Sequence, residues 1–524
     1  MTKTKAEKAD FMKRFLDKIE KAGNKLPQPV TLFAILMGIT LLLSWIFGGI
    51  SVDHPGKAAG LLDRDGNPVD SIEIVNLLSK EGFQQIMTKM VVTFAMFPPL
   101  GLVLVVMLGI GIAEYTGMIS VALRMFVSKV PRSLVTFSIV VAGMISSVAA
   151  DAGYVVLIPL GGAIFLGMGR HPLAGIAAAF AGVSGGFGAN IFPTGLDPMI
   201  AAFTEPAAQI IDETYTVNPL SNYYLMAASV PLVGIVGTWV TERIIIPRLG
   251  KYEASADTVI EEQPPITKNE RSALTWSIVA LTIYSMLIAF MIIPENGLLR
   301  GSPHPETGIA SMRPFYDSLV PIMFIGFLLA GLVYGIAAKI IRSDKDVTTM
   351  MSKSMATMGM YIVIAFVASQ FVAYFNWSHI GSVLAVKGSN LLNTIGFTGG
   401  PLLVAFIIVA SIVNLVMGSA SAKWALLAPV FVPMLMLMGY SPETVQAAYR
   451  IGDSYSNILT PLLPYFPLVI VFAQKYVKGA GIGTLISLML PFALAIALVR
   501  IPMLLLWIWA GWPLGIEGPI YYMP

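Results

Sequence analysis

Within residues 446–461, QAAYRIGDSYSNILTP, Arg450 and Asp453 stand three apart in a chain that is 56% hydrophobic and only 12% charged. On a helix that spacing puts both side chains on one face. A charge at the centre of a bilayer costs roughly 2.5–3.5 kcal/mol on insertion scales, so it has a task there. Either the two form a mutual ion pair that braces a helix bundle, or Arg450 holds an anionic group of a ligand while Asp453 carries or exchanges a cation. The stretch GSASAKWALLAP (418–429) adds Ser419, Ser421, Lys423 and Trp424. Its hydroxyls offer neutral donors and acceptors, and its indole suits stacking on an aromatic ligand or anchoring at a membrane interface. GGFGANIFPTGLDP (185–198) supplies Asn190 and Asp197, and SNILTP supplies Asn457 and Thr460. Amide and carboxylate oxygens beside freed backbone carbonyls are hard ligands suited to Na⁺, so Asn190, Asp197, Asn457 and Asp453 form a candidate cation set. A carboxylate alone suits a proton. The plain alternative for each is capping of an interrupted helix.

The elements that must position these groups are membrane helices. The 524 residues have a mean hydropathy of +0.77, and apolar runs such as 30–50, 134–150, 319–338 and 401–418 are long enough to cross a hydrocarbon core of about 30 Å. The short alternating segments of a barrel do not occur, so the fold class is all-α and polytopic. Lys+Arg 33 against Asp+Glu 30 is too balanced for a nucleic-acid binder, and the lack of cysteine removes disulfide and thiolate chemistry. The eight basic residues within 1–29 place that segment in the cytoplasm, and the basic ends of the linker 249–272 do the same for it. The first half then covers 30–248 and the second 273–524. The N-terminal segment reads as a retained part of the chain, not a cleaved signal.

The two halves repeat. Pro159, Gly169, Pro172, Gly182 and Ser184 recur as Pro429, Gly439, Pro442, Gly452 and Ser454, each 270 residues on. A leading span and a short amphipathic piece precede each block, and the flanking charges run the two leading spans in opposite directions. Inverted repeats of this kind belong to secondary transporters, whose binding site lies between the copies near mid-membrane. Segments 151–169 and 421–439, with central prolines, are expected to be re-entrant hairpins. Segments 173–200 and 443–462, too polar and too rich in Gly, Pro and Asn for lipid, are expected to be broken helices. Asp151 stands where the second copy has Ser421, and Tyr154 where it has Trp424, so the halves are chemically unequal.

One motif points elsewhere. GVSGG (182–186) matches the G-x-S-x-G of serine hydrolases. A serine nucleophile needs a base, and the four histidines, His54, His171, His304 and His379, all fall at or beyond span ends. The glycines suit close helix packing instead, and no nucleotide-binding domain or metalloprotease motif appears. The chain is not expected to be an enzyme, to hold a cofactor or to run on ATP.

The block GSASAKWALLAPVFVPMLMLMGYSPETVQAAYRIGDSYSNILTPLLPYFPLV, with GANIFPTGLDP in the first copy, resembles the p-aminobenzoyl-glutamate transporter (AbgT) family of bacteria along nearly the whole chain. The resemblance implies an inner-membrane homodimer with about nine spanning helices and two re-entrant hairpins per subunit. It implies functional roles for Asp197, Ser421, Trp424, Pro442, Arg450, Asp453 and Pro461. It also implies transport of p-aminobenzoyl-glutamate or export of sulfonamides. Such aromatic ligands with an anionic or sulfonyl group suit Arg450, Lys423 and Trp424. The residues leave the direction open, and they leave H⁺ or Na⁺ open as the coupling cation. A sodium/dicarboxylate symporter and a passive channel are the rival readings.

Overall fold

A computed structural model describes residues 29–53, 71–128, 130–149, 153–252, 266–302 and 310–523. The expectations for the basic segment 1–28, for Asp151 and for most of the linker 249–272 lie outside the described residues. Helix α1 (Pro29–Ile46) is followed by a two-stranded antiparallel ribbon, β1 (Ser51–Asp53) and β2 (Ser71–Glu73), paired with Val52 opposite Ile72. Helices α2 (Lys80–Ala95) and α3 (Pro98–Tyr115) form one interrupted span, with Pro98 and Pro99 opening α3 at positions where no backbone donor is needed. Then follow α4 (Met118–Ser128), α5 (Val135–Ser146), α6 (Ile158–Gly167), α7 (Pro172–Phe180), α8 (Leu196–Ala208) and α9 (Tyr223–Val240). Helices α10 (Lys268–Ile292) and α11 (Leu319–Ala337) link the halves, and α12 (Asp344–Thr357) leads into the second copy. That copy comprises α13 (Gly359–Trp377), α14 (Ile380–Thr394), α15 (Gly399–Val416), α16 (Ala420–Met436), α17 (Pro442–Asn457), α18 (Phe466–Gln474) and α19 (Ile482–Trp509).

Helices α3 to α9 recur in order as α13 to α19. Arg170 N–H bonds back to Phe165 O and Gly169 N–H to Leu166 O, closing α6 with the six-to-one and five-to-two bonds of a Schellman turn. Tyr440 to Leu435 and Gly439 to Met436 repeat those bonds at the end of α16. Gly169 at φ +72° and Gly439 at φ +89° occupy the left-handed position that such a turn requires. Pro172 and Pro442 then open α7 and α17, behind the caps His171 and Ser441. The recurring Gly and Pro are thus the punctuation of one repeated turn.

The hairpins are longer than the sequence suggests. Segments 151–169 and 421–439 are each one arm, not a whole hairpin. The other arms are α5 and α15. In the first copy Thr136 lies within 3.5 Å of Arg170 at one end, while Ser146 faces Gly153 at the other, so α5 and α6 run antiparallel. In the second copy Phe406 packs on Phe431 with ring centroids 4.9 Å apart, placing the reversal at 417–419. The first arms escape the sequence reading because an apolar helix followed by a small-residue turn looks like an ordinary span.

Both copies contain an interrupted helix after the hairpin. The helix through α7 and the π-turn Ala181–Gly185 stops there and resumes at Leu196, and α17 stops at Asn457 before α18 begins at Phe466. Close packing joins each to its hairpin. A Cβ on Gly182 would lie 2.4 Å from Val140 O of α5, and one on Gly452 would lie 2.6 Å from Ile407 O of α15. Only glycine permits that approach. On the other side α3 packs on α11, where Gly331 brings its backbone against Ala113. Among the described residues six helices have the length and apolarity of a membrane span, or seven if the bent pair at 118–146 counts as one.

Candidate functional site

The two breaks and the two hairpin turns meet α3 around a cavity of about 330 Å³. Val103, Val106, Met107 and Ile110 of α3 form one wall. Opposite stand Ser147 and Tyr154 from the first hairpin, Thr194 from the first break, Ser419 from the second hairpin and Asn457 from the end of α17. Tyr154 stacks on Tyr465 at 4.5 Å between centroids, so an aromatic pair from both copies floors it.

Behind two of these polar groups lie buried ion pairs. Asp197 Oδ2 accepts hydrogen bonds from the backbone N–H and hydroxyl of Thr194, at 2.6 and 3.0 Å. Its Oδ1 lies 2.8 Å from Arg450 Nη1, off the axis of an aligned hydrogen bond, so the contact is an ion pair. Both side chains are under 5% exposed. Arg450 Nε and Nη2 have no protein partner, which leaves two donors of the guanidinium fork for another group. Asp453 Oδ1 pairs with the fully buried Lys423 ammonium, which also donates to Asn414 Oδ1. Asn457 Nδ2 donates to Asp453 Oδ2 at 3.3 Å. Each break therefore presents to the cavity a polar group that is hydrogen-bonded to a carboxylate, and each carboxylate holds a cation. Buried pairs of this kind persist only with such additional hydrogen bonds.

Arg450 and Asp453 do not pair with each other. The three-residue spacing aligns them on one face of α17, but the N-terminal turns of α8 and α16 supply nearer partners in Asp197 and Lys423. The four residues of the expected cation set are likewise divided: Asp453 and Asn457 share a bond, Asp197 is turned to Arg450, and Asn190 is buried in the first break with no partner for its Oδ1. Asn457 Oδ1 is unpartnered too. Each break thus holds one buried amide oxygen free to accept.

The architecture has solved counterparts. The profile of the "AbgT putative transporter family" matches residues 14–522. The chain belongs to the AbgT transporter family. It is 36% identical over 499 residues to the p-aminobenzoyl-glutamate transport protein of Escherichia coli K12, covering 95% of both chains. The crystal structure of the Alcanivorax borkumensis YdaH transporter superposes with a TM-score of 0.85 at 41% identity, covering 94% of this chain and all of that one. MtrF of Neisseria gonorrhoeae, described as representing a class of antimetabolite efflux pumps, superposes with a TM-score of 0.88 at 44% identity, over 97% of this chain and 99% of its own. The chain is a membrane transporter, not an enzyme.

The residues expected from the AbgT resemblance fall in different places. Trp424 is fully buried, stacks on Tyr449 at 4.4 Å and donates through Nε1 to Thr204 Oγ1 at 2.9 Å and Ile200 O at 3.2 Å. It is neither an interfacial anchor nor part of the cavity wall. Ser421 faces a small recess lined by Phe33, Phe97 and Phe203, and its hydroxyl lies 3.3 Å from that of Ser419. Pro461 sits in the second break beside Thr460, whose hydroxyl donates to Leu415 O at 3.0 Å. Pro442 opens α17 at the end away from the break, next to the C-terminal segment, where Ser441 Oγ donates to Pro519 O.

Several participants were not singled out from the sequence. Asn414 is the lone amide in the apolar run of α15, and Arg500 is the lone charge in α19. A single polar residue inside a long apolar helix was the available signal. Thr204 and Gln446, bonded at 2.8 Å, carried no such signal because their neighbourhoods are already polar.

Proposed function

We propose that this chain is an ion-coupled secondary transporter of aromatic anions of the p-aminobenzoyl-glutamate kind, with sulfonamide antimetabolites as a second class for the same cavity. The observation that carries the reading is the cavity shared by both repeats, whose polar rim connects through Thr194 to Asp197–Arg450 and through Asn457 to Asp453–Lys423. Apolar and aromatic walls with a few placed polar groups suit an aromatic ligand of modest size. The two unused donors of Arg450 suit a carboxylate or sulfonyl group, which a planar fork engages in two places. Asp197 and Asp453 are the carboxylates for the coupling cation, with Asn190 and Asn457 as neutral oxygens for Na⁺ or with a proton alone. When an anion draws Arg450 away, Asp197 is released to take a cation, so ligand and cation bind together. Lys423 fixes Asp453 in the same way. The names of the relatives support the substrate class. The homodimer, the inner-membrane location and the cytoplasmic N-terminus follow from the family resemblance and the charge pattern.

The test is uptake and efflux of labelled p-aminobenzoyl-glutamate in proteoliposomes, with a pH gradient and a sodium gradient imposed separately. Accumulation against the substrate gradient under one of them, competed by sulfonamides and not by succinate, is expected. Equilibration without accumulation indicates a channel, and competition by succinate alone indicates a dicarboxylate symporter. Either outcome refutes the proposal.

A further inference from the structure

Helix α19 carries a single charged residue, Arg500, which is 1% exposed. Its guanidinium reaches both broken helices. Nη1 donates to Ser454 Oγ at 2.8 Å and Nη2 to Gly188 O at 2.7 Å. Ser454 Oγ in turn donates to Gly185 O at 2.7 Å and accepts Gly188 N–H at 3.3 Å. A Cβ on Gly188 would lie 2.9 Å from Arg450 O and 3.2 Å from Arg500 Nη1, so the backbone of the first break is threaded between the two arginines. Phe187, the preceding residue, lines the cavity. Arg500 therefore stands one residue behind the cavity wall.

Its charge is the odd one. Arg450 is balanced by Asp197 and Lys423 by Asp453, while both partners of Arg500 are neutral oxygens and its Nε has none. The remaining buried carboxylate among the described residues, Glu443, lies seven residues before Arg450 on α17, roughly 10 Å along the axis, and accepts the Tyr215 hydroxyl at 2.9 Å. A neutral donor such as glutamine or tryptophan can bond a hydroxyl or a carbonyl without the cost of burying a charge. An unbalanced buried cation beside a transport cavity thus calls for a role in which the charge itself is used.

We infer that Arg500 is a positioning residue that holds the first break in place and supplies the uncompensated positive charge by which the transport core prefers an anionic ligand over a neutral one of the same shape. The inference rests on the aromatic-anion reading above. It acts through the field across Gly188 and Phe187, not by direct contact. Two unit charges about 10 Å apart at an effective dielectric of about 20 interact by an amount equivalent to on the order of tenfold in affinity.

The experiment compares two probes on the full-length protein purified in detergent: p-aminobenzoyl-glutamate and its uncharged diamide. In Arg500→Met the affinity for the anion is expected to fall on the order of tenfold while that for the diamide changes less than about twofold. Arg500→Lys, which keeps the charge and loses the fork, is expected to retain the preference for the anion. So is Ser454→Ala, which removes one partner and leaves the charge. A purely structural role weakens both probes alike. Equal losses in Arg500→Met overturn the inference, as does a lost preference in Arg500→Lys, and the latter result stands even if the methionine variant does not insert. Failure of the wild-type protein to bind p-aminobenzoyl-glutamate removes the aromatic-anion reading and this inference with it; binding by wild type with equal losses removes the inference alone.

Discussion

The Arg450–Asp197 pair lends itself to a double-mutant cycle. At 2.8 Å and an effective dielectric of about 20, the gross attraction is about 6 kcal/mol. Desolvation of two groups under 5% exposed offsets much of it, and breaking a buried pair from one side costs about 3–5 kcal/mol because a charge is stranded. Asp197→Asn can keep one bond to Thr194 but turns its amide donors toward Arg450, leaving the guanidinium with only the weak acceptor Met226 Sδ at 3.2 Å and no counter-charge. Arg450→Gln leaves a buried carboxylate with only the two Thr194 donors. Each single variant is expected to lose about 3–5 kcal/mol of stability, and the double variant should lose less than their sum by about 2–4 kcal/mol. Unfolding in mixed micelles titrated with dodecyl sulfate reads these differences, and transport in liposomes should be absent in all three. Additive effects, with a coupling below about 0.5 kcal/mol, would show that the contact carries no interaction and that the two residues act separately.

Trp424→Phe keeps the ring on Tyr449 and loses the indole donor to Thr204, so a loss of about 1 kcal/mol is expected in the same titration, against about 3–5 kcal/mol for Trp424→Ala. If Trp424→Ala instead lowers substrate affinity at unchanged stability, the ring touches the ligand. Gly182→Ala forces α5 from the broken helix and should abolish accumulation of folded protein on fluorescence-detected gel filtration. Gly195→Ala, where a Cβ meets only Val106 at 3.5 Å, should express as wild type. Val103→Trp fills part of the cavity from its α3 wall and is expected to weaken substrate binding at least tenfold, with an unfolding midpoint close to that of wild type; unchanged affinity would move the site elsewhere.

Much of the architecture could be read from the chain because it was written in residues that act alone. A glycine at φ above +70°, a proline at the first helical position and a glycine under a neighbouring carbonyl each do their work through their own backbone. Their recurrence at Gly169 and Gly439, Pro172 and Pro442, and Gly182 and Gly452 therefore survives as a pattern in one dimension. The broken helices were legible for the same reason. Partner choice was not. Arg450 and Asp453 share a face of α17, yet whether they meet depends on what packs against that face, and the answer comes from α8 and α16, more than 25 residues away in the chain. The first hairpin arms belong to apolar helices whose local composition is that of any span, so only the tertiary contacts set them apart, whereas Arg500 stands out in the sequence as a lone charge but its partners on both broken helices do not.

The face that α3 turns to the cavity carries Val103, Val106, Met107 and Ile110. Dispersion between such side chains has little directional preference, and no hydrogen bond must be surrendered when the surface opposite shifts along it. The opposing surface is different in kind, for there the hairpins and broken helices are locked by glycine-close backbones and by ion pairs that cross between elements. A stiff body against a greasy rail is a bearing. The fit across it is governed mainly by shape, so a single methylene added or removed on α3 changes how closely the two surfaces meet without breaking a hydrogen bond.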